Sequence, residues 1–367
     1  MTDPAPVFSA VDHAHMAEAL RLAARGLWTT HPNPRVGCVI AHGERVVGRG
    51  WHERAGEPHA EVHALRDAGG DARDATAYIT LEPCNHHGRT PPCTAALIEA
   101  GIGRVVAAII DPHPEVSGRG LARLAEAGID VSHGLMEPQA RELNPGFLAR
   151  FETGRPFVRA KLAASLDGRT VGPDGASKWI TGEAARRDGH RWRARADALM
   201  TGIGTVLADD PRLDVRLDGI DLPPRPIVVL DPNDRLPPGA RLFATGAPVL
   251  RAGRASMSGL PAQCETLTGL IDDTGRIDLG ALLAELGRRE INELHVEAGP
   301  TLTGALLAAG RIDELLLYQA PSLIGDGHPL VRLPGVEKLD QRLHMTPIET
   351  RRVGEDVRIR LRPARNR

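Results

Sequence analysis

Hydrophobic positions in this chain switch repeatedly between helical and strand-like spacing. Asp12 to Gly26 carries Met16, Ala19, Leu20 and Ala23 on one helical face, and Gly26 ends the run. Val36 to Ala41 and Arg45 to Gly50 read as two strands around the turn His42-Gly43-Glu44. A second helix is predicted from Pro58 through Val62 and Leu65 to a stop at Gly69-Gly70, then a strand over 76–81. Cys93 opens a third helix, Thr94 to Ala100, closed by Gly101. Arg104 to Ile110 reads as a buried strand, Leu121 to Ala127 as a short helix, and 129–132 as another strand. Alternation of this kind implies a layered α/β domain with a mixed sheet.

Residues 137–156, with Asn144-Pro145-Gly146 and Gly154-Arg155-Pro156, read as a junction, which divides the chain into domains over 1–145 and 146–367. Beyond it, strands are predicted at 157–163, 198–201, 227–230, 294–297, 314–318 and 357–361, with a long helix from Glu183 to about Ala196. The second half is therefore also α/β.

Composition narrows the function classes. A length of 367 residues fits two domains. Aromatic residues make up only 3%, so the cores must rest on Leu, Val, Ile and Ala. A net charge of −2 gives no bulk attraction to nucleic acid or to an anionic membrane. No apolar run approaches the roughly 20 residues that span a bilayer, and Met1-Thr2-Asp3-Pro4 shows neither the basic nor the apolar part of a signal peptide. Four cysteines do not make a disulfide framework, and free thiols fit a reducing cytoplasm.

The chemistry concentrates between residues 58 and 93. Pro58-His59-Ala60-Glu61 is followed by Glu82-Pro83-Cys84 and, eight residues later, by Cys93. One imidazole and two thiols are a donor set that zinc favours, and three protein ligands leave a fourth position open. An H-x-E segment followed by P-C…C is the signature of zinc deaminases acting on bases, with the Glu as proton shuttle. His59, Cys84 and Cys93 are thus the expected ligands and Glu61 the general acid/base. His59 and Glu61 can converge only in an irregular first turn, because residues two apart in a regular helix point to nearly opposite sides. A structural zinc is the competing reading, with Cys38, His63, His86 or His87 as fourth ligand; it leaves Glu61 without a role. His59 and His63 are spaced like a helical zinc-protease pair, but Ala60 stands where that motif needs Glu. Base deaminases commonly place two residues between the cysteines; the longer polar insert here must loop out beside the metal. Asn33, between two prolines, can read a base edge with donor and acceptor, or simply close an Asn-Pro turn. His52, His63, His86 and His87 are further candidates for phosphate or base contacts.

In the second half, residues 297–305 form a strand end that runs through Gly299 into a helix. Bare N–H groups and the positive helix end make such a turn a phosphate site. It is not the G-x-G-x-x-G fingerprint, and a tight strand–helix turn without ligand has the same appearance.

His31-Pro32-Asn33-Pro34-Arg35-Val36-Gly37-Cys38 together with residues 58–93 resembles the deaminase domain of the bifunctional riboflavin-biosynthesis deaminase/reductases. Residues 161–169, Trp179-Ile180-Thr181, 205–211 and 296–302 resemble the reductase half of the same family, in the same order. The resemblance implies a cytidine-deaminase-like three-layer α/β domain followed by a dihydrofolate-reductase-like α/β domain. It implies zinc and NADPH as cofactors and 2,5-diamino-6-ribosylamino-4(3H)-pyrimidinone 5′-phosphate as substrate, deaminated first and then reduced from ribosyl to ribityl. By the same resemblance, Ala164, Trp179, Thr205, Asp209 and the loop Gly299, Pro300, Thr301, Leu302, Thr303, Gly304, Ala305 hold NADPH. Ser177, Arg193, Leu213, Arg216 and Glu297 hold the sugar phosphate, the two arginines offering planar donor forks. A cytoplasmic homo-oligomer, a dimer, is expected. Residues 215–290 match the family poorly beyond Asp231, where Pro232 offers no side-chain donor. A nucleic-acid base deaminase with an unrelated tail, which the net charge argues against, and a zinc-stabilised nucleotide sensor are the other classes. Ammonia release and NADPH oxidation separate all three.

Overall fold

A computed structural model of the chain describes residues 7–85, 92–114, 116–176, 178–220 and 222–364. The chain divides into two units, Met1–Thr153 and Gly154–Arg367. Ser177, His86 and His87 lie outside the described residues.

In the first unit, α1 (Ala10–Ala23) starts at a capping box: the Ser9 hydroxyl accepts the Asp12 N–H, and the Asp12 carboxylate accepts the Ser9 N–H at 2.8 Å. Strands β1 (Gly37–His42), β2 (Arg45–Trp51), β3 (Thr76–Ile79), β4 (Arg104–Ala107) and β5 (Asp130–His133) form one sheet in the order β2-β1-β3-β4-β5. β1 runs antiparallel to β2 and β3, while β3, β4 and β5 are parallel, which is the mixed sheet expected. Strand alternation feeds two cores. Cys38 and Ile40 face a cluster with Ala60 and Ala64 of α2 (Ala60–Ala68), Leu97 of α3 (Cys93–Glu99) and Leu124 of α4 (Arg119–Glu126). Val39 and Ala41 face Met16 and Ala19 of α1, Ala140 of α5 (Glu137–Leu143) and Phe147 and Leu148 of α6 (Pro145–Thr153). Helices on both sides of the sheet make three layers.

The segment 137–156, read as a junction, is mostly these last two helices. Asn144 breaks them with φ −120° and ψ 40°, and its buried side chain pairs both the N–H and the C=O of Arg35 at 2.8 Å. Pro145 opens α6, where its missing N–H leaves nothing unsatisfied. The Asn-Pro-Gly run therefore marks a helix start, and the exposed turn comes at Gly154, with φ 72°.

The second unit is built on a nine-stranded sheet in the order β11-β10-β9-β8-β12-β6-β13-β16-β15. These are β6 (Phe157–Ala164), β8 (Ala198–Gly202), β9 (Ile227–Leu230), β10 (Val249–Ala252), β11 (Cys264–Leu267), β12 (Glu293–Val296), β13 (Glu314–Gln319), β15 (Met345–Val353) and β16 (Asp356–Pro363). A separate pair joins β7 (Arg169–Val171) to β14 (His328–Pro329). Seven strands from β11 to β13 are parallel, and β16 and β15 close one edge antiparallel. The helices are α7 (Glu183–Arg195), α8 (Ile203–Asp209), α9 (Leu279–Arg288) and α10 (Pro300–Ala308). The buried core runs through Val158, Ala160, Met200, Val228, Leu294 and Val296. Such near-continuous aliphatic strands are what a parallel sheet covered on both faces requires.

Candidate active sites

The first site sits where two helices begin. His59 is the N-cap of α2 and lies outside the helix, with φ −76° and ψ 167°. That extended step lets its ring and the Glu61 carboxylate, in the first turn, reach one point. Gly50 of β2 brings α2 in close: a Cβ there would lie 2.2 Å from the Ala60 carbonyl oxygen. Cys84 follows β3, and Cys93 is the first residue of α3. His59 Nδ1 stands 3.2 Å from Cys93 Sγ and 3.6 Å from Cys84 Sγ, and the Cys93 N–H points to Cys84 Sγ at 3.4 Å. The three donor atoms all lie within 4.8 Å of one another.

Electrostatics separate the ligand set from the acid. A hydrogen bond from Cys93, aided by His59, holds the Cys84 thiol well below its ordinary range. Glu61 is 3% exposed and outside the donor group. Burial, opposed by His59, pushes its carboxyl up to about 7. One nitrogen and two sulfurs suit zinc's preference, so the residues present fit that ion. Cys38 and His63 do not join the group among the described residues. Cys38 is wholly buried in the aliphatic core, and burial raises its thiol far above the usual range.

His52, bonded to Asn33, adjoins His59, and Glu82 precedes Cys84 by two positions. Asn33 Nδ2 lies 3.1 Å from His52 Nε2, and His52 Nδ1 lies 3.2 Å from the Pro58 carbonyl oxygen. The carbonyl fixes the proton on Nδ1, so Nε2 accepts from Asn33 and leaves the amide oxygen turned away from the histidine. The His52 ring stands edge-on to His59, with centroids 5.4 Å apart. Glu82 was not singled out in the sequence, though it directly precedes Pro83-Cys84. Its carboxylate is 3% exposed and accepts the backbone N–H groups of Asp111, Gly118, Gly120 and Leu121 at 2.8–3.3 Å. It fixes the chain around Cys84 to the loop leading into α4.

The second site is a cleft of about 650 Å³ at the carboxyl ends of the parallel strands, the usual ligand position in such sheets. Register builds it: Ala160 of β6 pairs with Val296 of β12, so the next residues, Lys161 and Glu297, come side by side. Arg193 of α7 grips Glu297 with Nε and with Nη2, the latter at 2.8 Å, while its Nη1 donates to the Asp214 carbonyl at 2.9 Å. Burial opposes ionisation of Glu297, but Arg193 outweighs it and holds the carboxyl well below its ordinary range. Burial lowers the Lys161 ammonium, and Arg193 adds to this while Glu297 opposes it.

Trp179, Thr205, Asp209, Gly299 and Pro300 line the cleft, as do Arg193, Leu213, Arg216 and Glu297. Ala164 and Thr301 to Ala305 are not among the lining residues. Ala164 is buried in β6, and Thr303 is fully buried on α10. Gly304 backs directly onto the Arg332 carbonyl, 1.6 Å from where a Cβ would stand. Gly299 caps α10 in an extended conformation, with Pro300 first in the helix, so the helix start faces the cleft. The cations Lys161, Lys178, Arg186, Arg193, Arg212, Arg216 and Arg241 outnumber Asp209, Asp210 and Glu297 in the lining. That balance and the helix start suit a phosphate-bearing cofactor. Arg186 stacks on Trp179 at 4.6 Å, leaving the indole 68% exposed. Lys161, His190 and Arg212 are lining residues to which the sequence reading gave no role.

Comparison with known proteins places both units in one family. Residues 9–109 match the cytidine and deoxycytidylate deaminase zinc-binding region, and residues 156–359 match the RibD C-terminal domain. The riboflavin biosynthesis protein RibD of Escherichia coli is 51% identical over 363 residues, covering 95% of this chain and 99% of that protein. The structure of Acinetobacter baumannii RibD, form 1, superposes with a TM-score of 0.89 at 43% identity, over 97% of this chain and 99% of that one. A Thermotoga maritima protein described as a diaminohydroxyphosphoribosylaminopyrimidine deaminase/5-amino-6-(5-phosphoribosylamino)uracil reductase gives 0.87 at 30% identity, over 96% and 99%. With a zinc-binding deaminase unit and a reductase unit in the same order along nearly the whole length, the chain belongs to the RibD family of bifunctional riboflavin-biosynthesis deaminase/reductases.

Proposed function

We propose a division of labour between the two units on one pyrimidine. The first removes the 2-amino group of 2,5-diamino-6-ribosylamino-4(3H)-pyrimidinone 5′-phosphate as ammonia, and the second reduces the ribosyl group to ribityl with NADPH. The observation that carries this reading is the gathering of His59, Cys84 and Cys93 within 4.8 Å, with buried Glu61 beside but outside the set.

His59, Cys84 and Cys93 would hold zinc, which supplies Lewis acidity and a water of lowered pKa. Glu61 holds and releases a proton at its carboxylate between that water and the departing ammonia; a buried carboxyl near pH 7 is matched to both tasks. The Asn33 oxygen accepts from a ring N–H or amine, because His52 engages the other end of the amide.

In the second unit, NADPH supplies the hydride. Trp179, Thr205, Asp209, Gly299 and Pro300 hold it, a role supported by their place in the cleft lining. Ala164 and Thr301 to Ala305 are assigned by family resemblance, as supports behind the lining. Arg193, Leu213, Arg216 and Glu297 receive the substrate's sugar phosphate, with Ser177 assigned by resemblance alone. Opening a ribosyl ring to ribityl adds a proton to the released ring oxygen. Lys161 is suited to give it, since its lowered ammonium lies in the cleft beside Glu297.

The enzyme is read as a cytoplasmic homodimer that does not act on nucleic acid. Its thiols, unbridged in the structure, support a reducing compartment, and the net charge of −2 argues against a nucleic-acid substrate. No helix among the described residues is long and apolar enough to cross a membrane. Sedimentation at several concentrations tests the dimer, and a single species at monomer mass removes it.

Removal of zinc tests the division of labour. Chelation is expected to abolish ammonia release and leave NADPH oxidation with the already deaminated pyrimidine intact. Residues 156–367 expressed alone are expected to oxidise NADPH with the same substrate. Loss of both reactions on chelation, with circular dichroism unchanged, contradicts the reading.

A further inference from the structure

We propose that His190 is a phosphate-binding residue of the reductase cleft, its Nε2–H converging with Arg216 Nη2 on one anionic oxygen of the substrate. The inference rests on the reading that this cleft takes a sugar phosphate.

α7 presents His190 and Arg193, three positions apart and so on neighbouring parts of one helix face, and both line the cleft. Opposite them runs the segment 210–216. The backbone N–H of Arg216 donates to His190 Nδ1 at 3.2 Å, and Arg216 Nη2 lies 3.1 Å from His190 Nε2. A guanidinium has only donors, and a neutral imidazole carries one proton. With the lone pair on Nδ1 facing the backbone N–H, that proton is on Nε2, where it meets a second donor. Moving it to Nδ1 only transfers the conflict to the backbone contact. No arrangement of one proton satisfies both contacts, whereas an oxygen accepting from Nε2–H and Nη2 satisfies all three groups.

The ring does carry a single proton at neutral pH. Burial, with Arg193 and Arg216 alongside, pushes His190 down to about 4, against the opposing pull of Glu297 and Asp214. The nearby carboxylates are bonded elsewhere. Asp214 accepts from Arg212 Nε at 2.8 Å and from Arg216 Nη1 at 2.9 Å, and Glu297 accepts from Arg193. Neither is bonded to His190. An incoming anion would therefore meet Arg193, Arg212 and Arg216 and a pair of donors already aimed together. The chain itself holds this geometry. Asp210 and Leu213 adopt left-handed backbone with φ 41° and 53°, a conformation disfavoured for non-glycine residues, and the Leu213 side chain is anchored in the core beside Val206 and Leu236.

Two isosteric replacements separate phosphate binding from loop anchoring. His190→Asn keeps an acceptor at the Nδ1 position for the Arg216 N–H but removes the Nε2 donor. His190→Gln keeps a donor at the Nε2 position and removes the Nδ1 acceptor. Steady-state NADPH oxidation would be measured for wild type and both variants with the deaminated pyrimidine in its 5′-phosphorylated and dephosphorylated forms. Loss of one charge-assisted hydrogen bond corresponds to about a tenfold effect. The expected result is an approximately tenfold higher KM of His190→Asn for the phosphorylated form, with kcat largely kept and no such rise for the dephosphorylated form. His190→Gln should recover most of that difference. If His190→Asn behaves as wild type while His190→Gln is impaired, His190 is only an anchor for the 216 backbone and the proposal fails. Equal losses with both substrate forms overturn it in the same way. If wild type itself does not distinguish the two forms, the reading of Arg193 and Arg216 as phosphate ligands falls first. If wild type does distinguish them and His190→Asn does so undiminished, only the His190 assignment falls.

Discussion

The donors of the first site come from one stretch, His59 to Cys93; His59 and Cys93 are placed by the starts of two helices, and Cys84 follows β3. The cleft of the second site draws Lys161 from a strand, Arg193 from a helix and Glu297 from the end of a distant strand. In the first case local backbone geometry aims the side chains, as the extended N-cap at His59 shows. In the second the aiming is done by sheet register, which sets Lys161 beside Glu297 although most of the unit lies between them in sequence. A site of the first kind has a spacing that can be recognised; a site of the second kind exists only once the sheet has formed.

The largest test of this contrast is a pair of single changes. Glu61→Gln is expected to keep stoichiometric zinc and lose at least about 10²-fold in ammonia release, the scale of a general acid/base, with NADPH oxidation unaffected. Lys161→Met is expected to do the converse by a similar factor, losing NADPH oxidation and keeping ammonia release. Metal analysis and the two assays on folded protein decide it, and near-normal ammonia release from Glu61→Gln sinks the first assignment.

Changes to the arginines come next. Arg216→Glu replaces an exposed cation in the cleft with a repelling anion, and the KM for the reductase substrate is expected to rise by about tenfold or more, with the KM for NADPH changing less. Arg193→Glu should be more damaging, because it also leaves Glu297 without its bidentate partner. An effect on NADPH alone, from either change, reassigns that arginine to the cofactor.

The smallest expected effect concerns stability of the first unit in acid. Burial pushes Asp12 up, but donors from Ser9, Tyr78 and Arg104 outweigh it and hold the carboxyl at about 2, against an ordinary 3.8. A depressed carboxyl stabilises fully above its unfolded value and loses that contribution as pH falls toward the folded one. About 2 kcal/mol should therefore vanish between roughly pH 4 and pH 2. Denaturant midpoints of wild type and Asp12→Asn across that window should converge at the acid end. Parallel curves throughout would falsify the assignment.

Much of the fold was legible because it is periodic. The helix from Asp12, the strand pair β1 and β2, the helix at 183–195 and strands β6, β8, β9, β12 and β13 all follow from spacing. Strands β10 and β11 and helix α9 did not. The strands are four residues each, β10 buries a charged Arg251 and β11 carries Glu265, while Gly280 and Gly287 weaken the pattern of α9. These elements all fall within 215–290, where the sequence motifs offered least to recognise, although the RibD C-terminal domain match runs through it. The division falls within 137–156, at Gly154, and not at the Asn-Pro-Gly run, because that run signals a turn and a helix start equally well. At the sites, the gathering of His59, Cys84 and Cys93 follows the spacing of one stretch, whereas the surroundings of Lys161, His190 and Glu82 do not. The neighbours of those three are adjacent only in the folded unit, such as Glu297 beside Lys161 and Arg216 beside His190.

The four backbone N–H groups that meet the Glu82 carboxylate have a consequence of their own. Converging amides of this kind form an anion receptor, and here the chain supplies its own anion as a tethered guest. Glu82 therefore resembles a catalytic acid in burial and in nearness to the metal ligands, yet it acts as a bound counter-ion. Cutting the tether with Glu82→Gly would leave the receptor in place with its guest missing. Millimolar formate, the same carboxylate without the chain, should then restore part of the lost thermal stability. Neutral formamide at equal concentration should not.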